Sequence, residues 1–291
     1  MNKILKTYKI FIGGQFPRTE SGRYYTVKDS DGQVIANVCL SSKKDIRNAV
    51  QAARKAFAAW SERTPFNRGQ IVYRIAEMLQ GRKQQFLDEM MVQGLDQNQS
   101  AKEFELCMDR IVYYAGWCDK YQHILSSVNP VQSSHFNFSV AEPTGVVGIL
   151  VDQQTHLLGL VSQVLPVIAG GNTAVLIAPE KTPLCSVGFA EIVATSDVPG
   201  GVINILTGSP GEMLPTLAGH MDVNALCLSN AEKEIAIDAQ LMAIDNLKRV
   251  ICKDEDWTNE SAQGIRYISS FQEIKTTWHP IEQIGGASSS Y

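Results

Sequence analysis

The sequence is poor in the groupings that usually announce a chemistry. Its six cysteines, at 39, 107, 118, 185, 227 and 252, form no CxxC pair, and none stands at zinc-finger spacing from a histidine. That excludes small zinc modules and thioredoxin-like redox centres. It leaves reduced thiols that pack as small hydrophobes, the expectation for a cytosolic protein. Excess basic charge is also missing. Twenty-six Lys and Arg against thirty Asp and Glu give a net charge of −4, which removes the electrostatic case for nucleic acid or an anionic membrane. No apolar run reaches the roughly 20 residues of a membrane span. The opening MNKILKTYKIFIGG has neither the apolar core nor the cleavage site of a signal peptide. GSPGE at 208–212 has neither the length nor the lysine of a P-loop. His123, His135, His220 and His279 are scattered and match no metal spacing. No repeat of 20–50 residues is present.

What is present is an ordinary globular composition, 44% hydrophobic and 19% charged over 291 residues, and one organising stretch from Glu142 to Glu180. GVVGILV (145–151) reads as a buried strand, LLGLVSQVLPVIA (157–169) as a helix, Gly170-Gly171 as its stop and NTAVLIA (172–178) as a second strand. This is a βαβ unit of a doubly wound parallel fold, in which ligands sit in the loops beyond the carboxyl ends of the strands. Asp152–His156 and Ile177–Thr182 are therefore where function is expected. Further strands are expected at 202–206, 223–228 and 247–252, a spacing that suits a parallel sheet.

Upstream, Tyr8–Cys39 is strand-like with an Asp31-Gly32 hairpin, and Ser42 with Asp45 reads as a capping box. Apolar faces predict three helices: one through Ile46, Ala49, Val50 and Trp60, one from Ile71 to a stop at Gly94, and one started by Ser100 and Glu103. Tyr113, Tyr114 and Trp117 are read as helix-packing aromatics. Thr182 with Pro183, Ser209 with Glu212, and Ser229 with Glu232 are expected to cap later helices. Residues 126–142 alternate, with Phe136, Phe138 and Val140 on the apolar side. KDEDWTNESAQG (253–264) reads as a linker, 265–281 as one long strand and 282–291 as a flexible tail. Cys252, beside Lys253, is weighed as a relocated nucleophile, and Asp152 with His156 as an acid–base pair. The structural readings, a strand position and a polar loop, are preferred for both.

IFIGGQF, DIRNAVQAARKAF, YYAGWCDK, EPTGVVGI, AGGNTAVL, VPGGVINILTG, HMDV and NLKRV, in this order from about Tyr8 to Val250, together resemble an aldehyde dehydrogenase. The likeness implies an α/β, Rossmann-like, doubly wound parallel sheet at 8–125 and 143–252. It also implies a β oligomerisation arm made of 126–142 and 265–281. Within the superfamily, HLLGLVS, SDVPGGVINILTG, Asp256-Trp257 and KTTWHPI are similar to the C-terminal half of the family-16 aldehyde dehydrogenases, which has lost catalytic parts.

The departures from the family pattern decide the expected function. No Gly-Gln-x-Cys nucleophile motif occurs, and 253–264 stands where a whole catalytic domain would follow. Lys253 falls at the general-base glutamate and Gln154 at the oxyanion-donating asparagine. Ile177 replaces the cofactor-clamping lysine, while Glu180 keeps its glutamate partner and Gly208 is retained. Asn230 and Ala231 replace the Gly-Ser of the pyrophosphate turn. The resemblance thus implies a pseudoenzyme with no cofactor expected (NAD or NADP if any), no metal, and assembly through 126–142 and 265–281. Its partner would be itself or a catalytic aldehyde dehydrogenase domain. An NAD(P)-dependent oxidoreductase and a dinucleotide-sensing module are the alternatives.

Overall fold

A computed structural model describes residues 5–281; the expected tail at 282–291 lies outside the described residues. The chain opens with a three-stranded sheet, β1 (Thr7–Tyr8), β2 (Tyr24–Lys28) and β3 (Val34–Cys39), in the order β1-β3-β2. Gly32, at φ +78°, turns β2 into β3 as the Asp-Gly signal requires. Four long helices follow: α1 (Lys43–Ser61), α2 (Pro65–Gln80), α3 (Lys83–Val92) and α4 (Gln97–Trp117), then the short α5 (Tyr121–Leu125). The Ser42–Asp45 capping box forms as expected. The helix expected to run to Gly94 is two helices. Gly81 ends the first, and Arg82, at φ −115°, redirects the chain so that Phe86 and Met90 enter the core. The Ser100–Glu103 box does not form. Asp96 and Gln99 make the reciprocal bonds one turn earlier, which places Ser100 inside α4 and frees Glu103 for another role.

From Gly145 the alternation is regular: β6 (Val146–Leu150), α6 (Leu158–Ala169), β7 (Thr173–Ile177), α7 (Leu184–Val193), β8 (Ile203–Leu206), α8 (Pro210–Ala218), β9 (Ala225–Ser229), α9 (Lys233–Met242) and β10 (Arg249–Lys253). These strands follow β4 (Ser127–Asn129) and β5 (His135–Pro143), and form a parallel sheet in the order β10-β9-β6-β7-β8. Alternate residues feed two cores. Val146, Leu150, Val175, Ile177 and Leu206 meet Ile46, Ala49 and Val50 of α1 and Met213 and Leu217 of α8. Val147, Ile149, Ala174, Leu176 and Ile205 meet α6 and, beyond it, α2 and α4. All twelve residues of α6 are buried, which is why its sequence is apolar on every side. Ser209 stands at the N-cap of α8 with Pro210 next, as expected, though its side chain makes no capping bond, and Thr182 and Ser229 do not cap the helices after them. Leu184 N donates to Gln93 Oε1 instead, Glu212 pairs with Arg23, and α9 starts at Lys233 with Ser229 still in β9.

The closing segment departs most from expectation. Residues 265–269 form a helix, α10 (Ile265–Ser269), and only β11 (Gln272–Pro280) is strand. Tyr267 and Ile268 are consecutive and both buried, an arrangement one helical turn allows and a strand covered on one face only, with alternating sides, does not. The charged stretch before it is anchored by buried Trp257 and Ala262. β11 pairs antiparallel with β5, and β5 with β4, making a second three-stranded sheet. Its alternation is as expected, but the covered side is the polar one. Asn137, Ser139 and Ala141 are buried, while Phe136 is 46% exposed. Asn129 Nδ2 donates to Asn137 Oδ1 and to Ser139 Oγ, and Ser139 bonds Thr276, which makes most of that side tolerable to cover; of these four side chains only Asn137, at Nδ2, has a buried group without a partner among the described residues.

Candidate functional site

The carboxyl ends of β6, β7, β8, β9 and β10 share one edge of the parallel sheet, and every position singled out by sequence lies there. After β6, Asp152 is buried and turns the loop: its amide donates to Gln163 Oε1 at 2.9 Å, and its carboxylate accepts from Gln154 N at 3.1 Å. Burial raises the Asp152 carboxyl above its ordinary range. Gln163, on α6, also donates to Leu150 O, so one buried side chain ties the strand end to the helix. Gln154 points outward and is exposed. Gln153 bridges the mouth instead, donating to Val151 O at 2.6 Å and accepting from Glu180 N at 3.0 Å.

The amino end of α6 is a natural anion site, with free amides and the positive end of the helix dipole. Here the chain fills it. Glu103 Oε1 accepts from the amides of His156, Leu157 and Leu158 at 3.0, 2.7 and 2.9 Å, and Thr155 Oγ1 accepts from Gly159 N at 3.0 Å. His156 is buried between Glu103 Oε2, 3.9 Å from Nδ1, and Gln93 O, 3.3 Å from Nε2. Asp152 and His156 therefore engage separate partners rather than each other. Sequence reasoning read Glu103 only as a local cap; its spacing in α4 carried no sign of a partner more than fifty residues on.

After β7, Ile177 is fully buried in the α1-facing core, while Glu180 is exposed and its carbonyl accepts from Tyr25 Oη at 3.2 Å. After β8, Gly208 adopts φ +133°, and a Cβ there would come within 3.0 Å of Leu40 and 3.1 Å of Ser41 N. The space that its missing side chain leaves is taken by this chain's own β3–α1 connection. After β9, Asn230 takes a left-handed conformation, φ 51°, and clasps the segment after β10. Its Oδ1 accepts from Glu255 N at 2.8 Å, its Nδ2 donates to Glu255 O at 2.9 Å, and its amide donates to Lys253 O at 2.9 Å. Ala231 is partly buried against the α1-facing core.

Lys253 ends β10 with its ammonium 3.7 Å from the centre of the Tyr267 ring, and burial lowers its pKa. The Tyr267 hydroxyl donates to Glu255 at 2.6 Å and is pushed up to about 12. Below this cluster Arg110, buried on α4, donates to Ala262 O at 2.6 Å, Trp257 O at 3.0 Å and Ser162 Oγ at 2.9 Å. Segment 254–264 is thus sewn onto the body. Cys252, on the opposite face of β10, is exposed, and burial of its surroundings together with Asp254 raises its thiol pKa. No thiolate-stabilising cation faces it, and no base is bonded to it. Among the described residues no three His, Cys, Asp or Glu side chains are grouped as metal ligands, and no helix is long and apolar enough to cross a membrane.

Ile177 offers no charge, Glu180 has no cationic neighbour bonded to it, and the turn after β9 is engaged with the chain's own backbone. One apolar crevice of about 120 Å³ does open beside it, between α8 and α9, lined by Leu214, Ile235, Ala239 and Met242.

Comparison with known proteins gives the lineage of this arrangement. The profile of the aldehyde dehydrogenase family matches residues 16–252. The chain is 32% identical over 255 residues to cytosolic 10-formyltetrahydrofolate dehydrogenase of Xenopus tropicalis, covering 84% of this chain and 28% of that protein. It is 30% identical over 249 residues to DhaS of Bacillus subtilis (strain 168), covering 84% and 50%. The NAD+ complex of aldehyde dehydrogenase from Bacillus cereus superposes with a TM-score of 0.80 at 25% identity, over 84% of this chain and 50% of that one. The chain thus spans between about a quarter and a half of the relatives it matches. With the fold, strand order and βα connections in agreement over that span, this chain belongs to the aldehyde dehydrogenase family.

Proposed function

We propose that this chain is a non-catalytic aldehyde dehydrogenase-like domain that works by assembly, using 126–142 and β11 to join a partner. The observation that carries this reading is the course of 253–272. β10 leads into β11 through Trp257, Ala262 and α10, all docked on the body, where the family resemblance calls for a catalytic domain. Gln154 and Lys253, at the positions of the oxyanion donor and the general base, are respectively exposed and stacked on Tyr267. The narrower likeness to the non-catalytic half of the family-16 proteins supports the same conclusion, and a cytoplasmic setting accords with six unpaired thiols.

The arm supplies the means. Bonds from Thr144 N to Phe271 O and from Ile281 N to Ser134 O bracket β11. They put its odd-numbered residues in hydrogen-bonded pairs with β5, so the amides of Ile274, Thr276 and Trp278 point away from it. A partner strand added there would gain main-chain bonds and two apolar side chains, Ile274 and Trp278, both more than half exposed. The partner is a second copy or a catalytic aldehyde dehydrogenase domain.

A second reading, dinucleotide sensing, is favoured by the α8–α9 crevice together with the exposed Glu180. Calorimetric titration with NAD and with NADP separates the two. No heat, and no shift in melting temperature, is the result expected of an assembly domain; saturable binding without turnover selects the sensor. Turnover of aldehydes with either cofactor would remove both readings.

A further inference from the structure

One amine at the carboxyl edge is left without a partner. Lys253 closes β10, and its register partner across the parallel pair is Ser229, the last residue of β9. Partners in register share a face of the sheet. Cys227 and Ile251, two residues earlier on each strand, pack into the α6-facing core, so Ser229 and Lys253 stand on the α6 side as well. The Ser229 hydroxyl is buried with no hydrogen-bond partner among the described residues. The Lys253 side chain is partly buried and its ammonium lies over the face of Tyr267, 3.7 Å from the ring centre. Among the described residues it makes no hydrogen bond and no ion pair. The other described lysines withdrawn from water are bonded: Lys248 donates to His220 O at 2.7 Å, and Lys83 pairs with Glu105. A half-buried amine held by a ring alone is biased towards its neutral, nucleophilic form, the direction in which burial shifts it.

From this we infer that Lys253 is a covalent capture site for short apolar aldehydes, which it holds as a reversible imine. The Nζ lone pair forms a C–N bond to the carbonyl carbon while the carbonyl π pair moves to oxygen. Nitrogen loses a proton and that oxygen gains one. The hydroxyl then takes a second proton and departs as water as C=N closes. One amine and one aldehyde give one imine and one water; nothing is oxidised or reduced, and no cofactor enters. Ser229 Oγ–H, unpaired and on the same face one strand away, is the proton donor to the departing oxygen. The ring decides for an aldehyde over an acyl donor. A protonated imine is a cation at the same nitrogen and keeps the contact with Tyr267, whereas an amide is neutral and loses it. The apolar neighbours Ile251, Cys227 and Tyr267 select against a charged aldehyde. This is capture without turnover; it goes beyond the assembly reading and does not rest on it.

The test is to treat the purified full chain at neutral pH with limiting propanal and cyanoborohydride, which reduces the imine to a stable propylamine, and to map the modified peptides by mass. Lys253 should be labelled about tenfold faster than the mean of the exposed lysines. Lys253→Arg, which keeps a cation over Tyr267, should lose that fast labelling with unchanged circular dichroism. Ser229→Ala should slow it about tenfold while leaving the imine's dissociation constant, read by borohydride quench at equilibrium, unchanged, because a proton donor alters rate and not equilibrium. An acetyl thioester offered in place of propanal should show no preference for Lys253. Labelling spread evenly over the exposed lysines overturns the inference, as does an equally fast phase in Lys253→Arg. Preferential acylation by the thioester overturns the choice of aldehyde, and a wild-type rate in Ser229→Ala overturns the role of Ser229.

Discussion

At the carboxyl edge of the parallel sheet, polar groups end on partners within the chain: the amides of 156–159 on Glu103 and Thr155, Asn230 on Glu255, Arg110 on two carbonyls of 254–264. The arm sheet does the reverse. Its polar side is covered, its aromatics face outward, and the outer amides of β11 are unpaired among the described residues. The family match over residues 16–252 takes in the carboxyl edge and β4–β5 and ends before β11. The difference teaches where recognition can occur. At the first edge a ligand would compete with internal bonds for the amides of 156–159 and for Asn230. An unpaired strand edge can bind another strand at no such cost.

Four changes would break or sharpen that contrast. Arg110→Met should have the largest effect, because it strands the carbonyls of Trp257 and Ala262 in the interior. A loss of about 4 kcal/mol in urea denaturation is expected. Wild-type stability in this variant would mean that 254–264 is not held to the body as described.

The body should also answer to pH through Glu89, while main-chain pairing in the arm has no titrating group. Glu89 is 8% exposed, accepts from Tyr8 Oη at 3.1 Å, leaves Oε2 without a hydrogen-bond partner, and is pushed up by burial to about 7. A carboxyl raised in the folded state contributes its stability in full below the ordinary value of 4.5, and loses it as pH rises through about 7. Stability should therefore fall by up to about 3 kcal/mol between pH 4.5 and 8, and Glu89→Gln should flatten that part of the profile. An unchanged slope in Glu89→Gln would assign the titration to another group.

Glu103→Ala should cost about 2 kcal/mol by orphaning the first amides of α6, and Glu103→Gln, a neutral acceptor, about half of that. Proton exchange at 156–158, followed by NMR, should accelerate in the alanine variant first. Smallest in stability is Ile274→Pro. Its amide points away from β5, so the ladder survives and the cost should stay below about 1 kcal/mol. Capture of a catalytic aldehyde dehydrogenase partner should nevertheless be lost. Capture undiminished in this variant would remove β11 as the joining strand.

Much of this contrast was visible before any coordinates. The βα alternation, the five parallel strands, the Asp31-Gly32 hairpin and the Ser42–Asp45 cap are local patterns of apolar spacing and turn chemistry, and they formed where expected. The misreadings involve residues whose partners are distant in the chain. Ser100 lost its capping role to Asp96, while Glu103 found the α6 amides. Residues 265–267 open with an apolar–polar–apolar run like a strand, yet 265–269 coil so that Tyr267 and Ile268 can both reach the core. Gln163 and Arg110 gave no signal, and Asn230, read only as a departure from the family's glycine, gave none of its clasp on Glu255, because a single polar residue in a helix or turn looks alike whether it meets water or a buried backbone group.

What the sequence alone determined is the lineage and the layered parallel sheet, since these depend on residue identity and short-range periodicity. Only the tertiary structure decided that segment 253–264 docks on the body, that the helix amino end is already occupied by Glu103, and that the outer edge of β11 is left unpaired among the described residues. Those are matters of which groups are left without partners once distant parts of the chain have met.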